Sequence, residues 1–156
     1  MSDNDDTLDY IAEILEMIAD AADVDADVEV EDVGERILAQ YIGEGESLAV
    51  LIGHHGQALD AIQHLAQRIA FQGSEERKPV LVDAAGYRQR RAEILCNLAD
   101  QAAAAAARDG SPVALDPMSA QERKVVHEHL KSRGDVTTHS EGQEPSRRLV
   151  ISPLVA

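Results

Sequence analysis

The stretch from Leu48 to Leu65, LAVLIGHHGQALDAIQHL, constrains the fold more than any other part of the chain. An apolar run stops at Gly53-His54-His55-Gly56 and resumes at once as an amphipathic pattern. Two histidines between glycines suit neither a core nor a helix interior, so the chain must reverse tightly between two helices. Glycine supplies backbone angles closed to other residues and lets a neighbouring group approach the main chain. A helix starting near Gly56 turns unsatisfied N–H groups and its positive dipole end into that space, which favours an anion such as phosphate. By itself GxxG more often marks a turn that binds nothing, so the surroundings must decide.

Those surroundings alternate helical and strand patterns. Leu8, Ile11, Leu15, Ile18 and Ala22 recur on one helical face, with Asp6 or Thr7 as N-cap, which predicts a helix over 7–22. Val28, Val30 and Val33 alternate with acids, and Glu35 to Ile42 is a second β-compatible run. Residues 47–52 allow a short helix. Over 57–72, Leu59, Ile62, Leu65, Ala66 and Ile69 share one stripe, and PVLVD from Pro79 to Asp83 reads as a buried strand. The order is α-β-β-α-α-β.

Tyr87 to Arg108 has the longest helical pattern, about 33 Å at 1.5 Å per residue, with Ile94, Leu95 and Leu98 as packing residues and an alanine-rich end closed by Asp109-Gly110. A strand at Pro112 to Leu115 follows. Ser119-Ala-Gln-Glu122 is a capping box opening a helix, and strands fall near Asp135 to Ser140 and Arg147 to Ser152, with GQEP as a turn between them. On that last helix Arg123 and His127 are four residues apart and share a face, which Lys131 extends by a turn. A guanidinium beside an imidazole can grip phosphate by directed hydrogen bonds, although a solvated basic face explains the same spacing.

Charge is distributed unevenly. Residues 1–35 hold 14 of the 29 acids and no Lys or Arg; from Arg36 onward 15 acids face 14 bases. The net charge of −15 is therefore mostly local, and repulsion from it is screened beyond about 10 Å at 0.1 M salt. A polyanionic partner is not excluded. No apolar run approaches the roughly 18 residues of a membrane span, and the acidic MSDNDD start lacks a secretory signal's positive region. A cytoplasmic protein with no membrane insertion is expected. The lone Cys96 reads as a small half-buried hydrophobe.

The IGxxG-helix segment in its α-β-β-α-α-β context resembles a type II KH domain, whose GxxG loop clamps about four nucleotides of single-stranded nucleic acid. The resemblance covers about residues 7–86 and implies that Gly53, His54, His55 and Gly56 contact RNA. KH loops usually carry Lys or Arg between the glycines. Histidine is largely uncharged near neutral pH unless a bound phosphate favours the charged form, so this loop departs from the family pattern. RKVVH followed by THSEGQEPSRRLVISP, within Pro112 to Pro153, resembles the R-three-H domain, named for an Arg and a His separated by three residues. That resemblance places Arg123 and His127 at a single-stranded nucleic-acid site, with Lys124, Lys131, Arg147 and Arg148 around it. Adjacent strand residues point to opposite faces, so one of Arg147 and Arg148 should share the pair's surface.

A KH domain followed by an R-three-H domain is similar to the bacterial Jag, or SpoIIIJ-associated, family. Many members carry an additional N-terminal Jag domain that has no counterpart in this sequence. The expected fold class is α+β: an acidic disordered start over 1–6, a type II KH domain over 7–86, and a linking helix with a small α/β R-three-H domain over 87–156. The expected function is single-stranded RNA binding, with single-stranded DNA as a related ligand, in a post-transcriptional regulator or RNA chaperone. A second KH-domain protein or a second copy of the chain is the candidate protein partner. The alternative is a protein-interaction adaptor whose two folds no longer bind RNA strongly. No GxxxxGK[ST], HExxH or GxSxG pattern occurs, so neither catalysis nor a cofactor is expected, nor is a metal.

Overall fold

Five helices and two three-stranded sheets make up this computed structural model, which describes residues 3–155. The chain divides into two compact units, Met1–Arg88 and Gln89–Ala156.

In the first unit the order is α1 (Asp3–Ala21), β1 (Asp27–Asp32), β2 (Ile37–Ile42), α2 (Gly45–Ile52), α3 (Gln57–Ala70) and β3 (Val80–Ala84), the α-β-β-α-α-β order read from the sequence. Helix α1 starts four residues before the expected Thr7. Residues 3–6, expected to be disordered, are therefore its first turn, while residues 1 and 2 of that stretch lie outside the described residues. Glu35 and Arg36 belong to the hairpin turn rather than to β2, with the Val33 amide donating to the Arg36 carbonyl at 3.0 Å.

The sheet runs β1-β2-β3, antiparallel then parallel. Period-two alternation buries Ile37, Ala39 and Tyr41 of β2 with Val80, Val82 and Ala84 of β3. These pack in one core with Ile11 and Leu15 of α1, Leu48 and Leu51 of α2, and Leu59, Ile62 and Ala66 of α3. The Tyr41 hydroxyl donates to the Leu15 carbonyl at 2.8 Å, and burial pushes its phenol well above the ordinary value. The α3 stripe is narrower than the sequence reading: Leu65 is 48% exposed and Ile69 is also exposed. The sheet and α1 need only one flank of α3, about three residues per two turns.

The free edge of β3 is covered by side chains rather than by a strand. The Val80 amide donates to Gln67 Oε1 at 2.6 Å, the Val82 amide to Gln63 Oε1 at 3.0 Å, and Arg88 Nε to the Val82 carbonyl at 2.8 Å. An edge left unpaired would invite association with another chain.

The second unit contains most of α4 (Tyr87–Asp109), then β4 (Val113–Ala114), α5 (Ala120–Leu130), β5 (Val136–Glu141) and β6 (Arg148–Pro153). Its sheet is antiparallel in the order β4-β6-β5. Leu95, Ala99, Ala102, Ala103 and Ala106 form the buried stripe of α4, against Val126, Leu130, Val136, Leu149 and Ile151. Small alanines let the neighbouring elements come close. Ile94 and Leu98, expected in the core, are instead 51% and 46% exposed because they lie on the flank of that stripe. Half of the expected capping box forms: Ser119 Oγ accepts from the Glu122 amide at 3.2 Å, while the Glu122 carboxylate pairs with Arg91 of α4 at 2.7 Å. Cys96 is half-buried, and burial pushes its thiol up, with Asp100 adding to the effect.

Candidate nucleic-acid interface

In the first unit the turn between α2 and α3 is one 3-10 turn, His54–Gly56. Gly53 has φ +71° and Gly56 φ +78°, left-handed values that glycine adopts without steric cost. Both glycines are also required by internal packing. A Cβ on Gly53 would sit 2.7 Å from Ala58 Cβ and 2.9 Å from its amide nitrogen; one on Gly56 would sit 2.7 Å from Tyr87 Cε1. The sequence reading attributed the glycines to the backbone angles of a tight reversal and to close approach of a ligand. The close neighbours are Ala58 and Tyr87.

His54 and His55 are exposed, with their rings stacked 3.9 Å apart. His55 is itself left-handed at φ 51°. Of the aliphatic residues beside the loop, Leu59 and Ile62 are in the core and Ile52 remains half-buried. Arg88 steadies α3 behind the turn, bonding Asp60 at 2.9 Å and Gln63 at 3.1 Å.

In the second unit, α5 and the β5–β6 sheet enclose a groove of about 420 Å³ lined by Arg123, Lys124, His127, Thr138, His139 and Arg147, among others. His127 Nδ1 is hydrogen-bonded to Thr138 Oγ1, which fixes the ring. If Nδ1 accepts the hydroxyl proton, Nε2 carries the hydrogen and can donate. Arg147 donates to the carbonyls of Gly142 at 2.7 Å and Ser140 at 3.4 Å. Two of its five N–H groups are so engaged, and no carboxylate among the described residues is bonded to it. Lys124 is exposed and has no ion-pair partner among the described residues.

Arg123 differs from the sequence reading. It is 8% exposed, and its guanidinium bonds the Met118 carbonyl at 2.7 Å, the Arg147 carbonyl at 3.5 Å and Glu144 Oε1 at 2.7 Å. It lies at the groove wall but holds the β5–β6 turn rather than standing free. Arg148 pairs with Glu141 at 2.9 Å and is absent from the groove lining, so Arg147 is the one of the two that shares the surface of His127. Lys131 is exposed, lies outside the groove and is 3.8 Å from Glu128. His129 turns away from His127 to Asp100 at 2.9 Å. Thr138 and His139 went unnoticed in the sequence because only strand pairing brings β5 beside α5.

These two units define a class of protein: a KH fold followed by an R-three-H fold. Residues 9–82 match the KhpA/KhpB type of KH domain and residues 93–153 match the R-three-H domain. The RNA-binding protein KhpB of Clostridium symbiosum is 34% identical over 144 residues, 92% of this chain and 65% of that protein. KhpB of Lactiplantibacillus plantarum is 35% identical over 92% of this chain and 43% of its own length, and KhpB of Bacillus subtilis 35% over 88% and 66%. The chain carries a KhpA/KhpB-type KH domain and an R-three-H domain and is similar to these KhpB, or Jag-family, proteins over most of its own length. It spans less than two thirds of the length of these relatives. No helix among the described residues is long and apolar enough to cross a membrane.

Proposed function

We propose that the chain binds single-stranded RNA in the cytoplasm, as a post-transcriptional regulator or RNA chaperone, with its main phosphate contact in the α5–β5–β6 groove. The carrying observation is that Lys124 and Arg147 line one groove with His127 while neither has a carboxylate bonded to it among the described residues. Carbonyls hold Arg147 in place without neutralising it, so its remaining donors are pre-oriented for a phosphate fork. Lys124 adds a mobile point charge, and His127, steadied by Thr138, adds a directed donor.

The Gly53–Gly56 turn is the second contact. Without Lys or Arg between its glycines, it offers main-chain amides at the start of α3 and the two exposed imidazoles. Weak sites on one chain reinforce each other through effective concentration. The name RNA-binding protein, carried by relatives at 34–35% identity, supports the same ligand. The reading assigns no catalysis and leaves room for a second KH protein or a second copy as partner.

Ultraviolet crosslinking of the intact chain to labelled oligouridine, followed by peptide mass spectrometry, tests this. Crosslinks are expected on Lys124, His127, His139 or Arg147 and on residues 53–57. Crosslinks confined to the acidic face of β1 would overturn the assignment.

A further inference from the structure

Arg123 is the one buried charged side chain among the described residues, and its two terminal nitrogens have different kinds of partner. Nη1 donates to the main-chain carbonyls of Met118 and Arg147, which can move only if the start of α5 or of β6 moves. Nη2 has one partner, a carboxylate oxygen of Glu144 at 2.7 Å. The Glu144 side chain is 58% exposed and sits in the turn between β5 and β6, where residues 142–146 are all exposed. Arg123 lines the groove; Glu144 does not.

We infer that Glu144 is an intramolecular stand-in for a ligand phosphate: its carboxylate occupies Arg123 Nη2 until a nucleic-acid phosphate in the groove displaces it. This rests on the reading of the groove as an RNA site. To a guanidinium, a carboxylate and a phosphodiester present the same thing, anionic oxygens that accept N–H donors at similar distances. The Nη1 bonds hold the guanidinium plane in place through such an exchange. The groove then carries three cations toward the ligand, Arg123 joining Lys124 and Arg147. Glu144 thereby sets a threshold: weak or non-phosphate anions compete poorly with a tethered carboxylate at high local concentration.

The test compares Glu144→Gln with Glu141→Gln in the full chain, using a fluorescein-labelled twelve-nucleotide oligouridine and anisotropy at several salt concentrations. Each removes one negative charge from the second unit, but Glu141 pairs with Arg148 at 2.9 Å and lies 3.7 Å from His139, and among the described residues it bonds none of Arg123, Lys124 and Arg147. Glu144→Gln is expected to tighten binding by up to about 5-fold, the worth of a partly exposed ion pair, and to steepen the salt dependence by about 0.7, because Arg123 then meets phosphate uncompensated instead of exchanging one anion for another. Glu141→Gln should do less on both counts. Arginine side-chain 15N spectra supply a readout independent of affinity: the Arg123 signal in the wild-type chain should move on adding oligouridine, toward a position that Glu144→Gln reaches at lower RNA concentration. Equal effects of the two variants, or an Arg123 signal that RNA leaves in place, would overturn the inference. If Lys124→Ala weakens binding while Glu144→Gln is silent, the groove stands and the stand-in falls. If neither variant changes affinity, the groove itself is wrong.

Discussion

Replacing Lys124 by alanine isolates the electrostatic content of the groove. The side chain is exposed and bonds no carboxylate among the described residues, so its loss should leave the melting temperature unchanged. Each phosphate contact on a single strand contributes about 0.7 to the slope of log affinity against log salt. Two uncompensated cations, Lys124 and Arg147, therefore give the groove a slope of about −1.4. Raising salt from about 50 to about 200 mM should weaken the wild-type chain about 7-fold, but Lys124→Ala only about 2.6-fold. Fluorescence anisotropy with labelled oligouridine across that range measures both slopes. Lys131→Ala is the control, since Lys131 lies outside the groove and should leave the slope unchanged. An unaltered slope in Lys124→Ala, even with reduced affinity, would refute a direct phosphate contact.

Gly53→Ala should destabilise the first unit by about 2–4 kcal/mol in urea unfolding, combining left-handed strain with the clash against the Ala58 backbone; a change under about 0.5 kcal/mol would show that the turn relaxes freely. His54→Asp with His55→Asp places two carboxylates on exposed positions, so RNA affinity should fall while thermal unfolding stays near wild type; equal binding would remove the turn from the interface. Lys78 at 2.6 Å, helped by the Gly34 amide, holds the Asp32 carboxyl down at about 2 from the ordinary 3.8. A depressed folded value adds stability above pH 3.8 that is lost as pH falls toward 2. Asp32→Asn should therefore flatten the acid limb of stability against pH in that window, and an acid limb identical to wild type would contradict it.

Local pattern was enough to order the elements. The stripe Ile11-Leu15, the β-compatible run ending at Ile42 and the break at Gly53 each depend on residues within a turn or a strand of one another, so they are legible in one dimension. The α+β order, the Gly53–Gly56 turn and the placement of Arg123 and His127 on one helix all follow from such neighbours. The same rule separated Arg147 from Arg148, because successive strand residues must face opposite ways.

What a polar side chain does there was decided in three dimensions. Arg123 reads as a free phosphate ligand until folding brings Glu144 and the Arg147 carbonyl, 21 and 24 residues on, against its guanidinium. Gly56 reads as an opening for a ligand until Tyr87 packs against it, and Thr138 has no evident role until β5 lies beside α5. Backbone preference is set by steric and hydrogen-bonding terms a few residues long, whereas the availability of a charge depends on every group within a few ångströms of it. Which groups those are is known only after the sheet has paired.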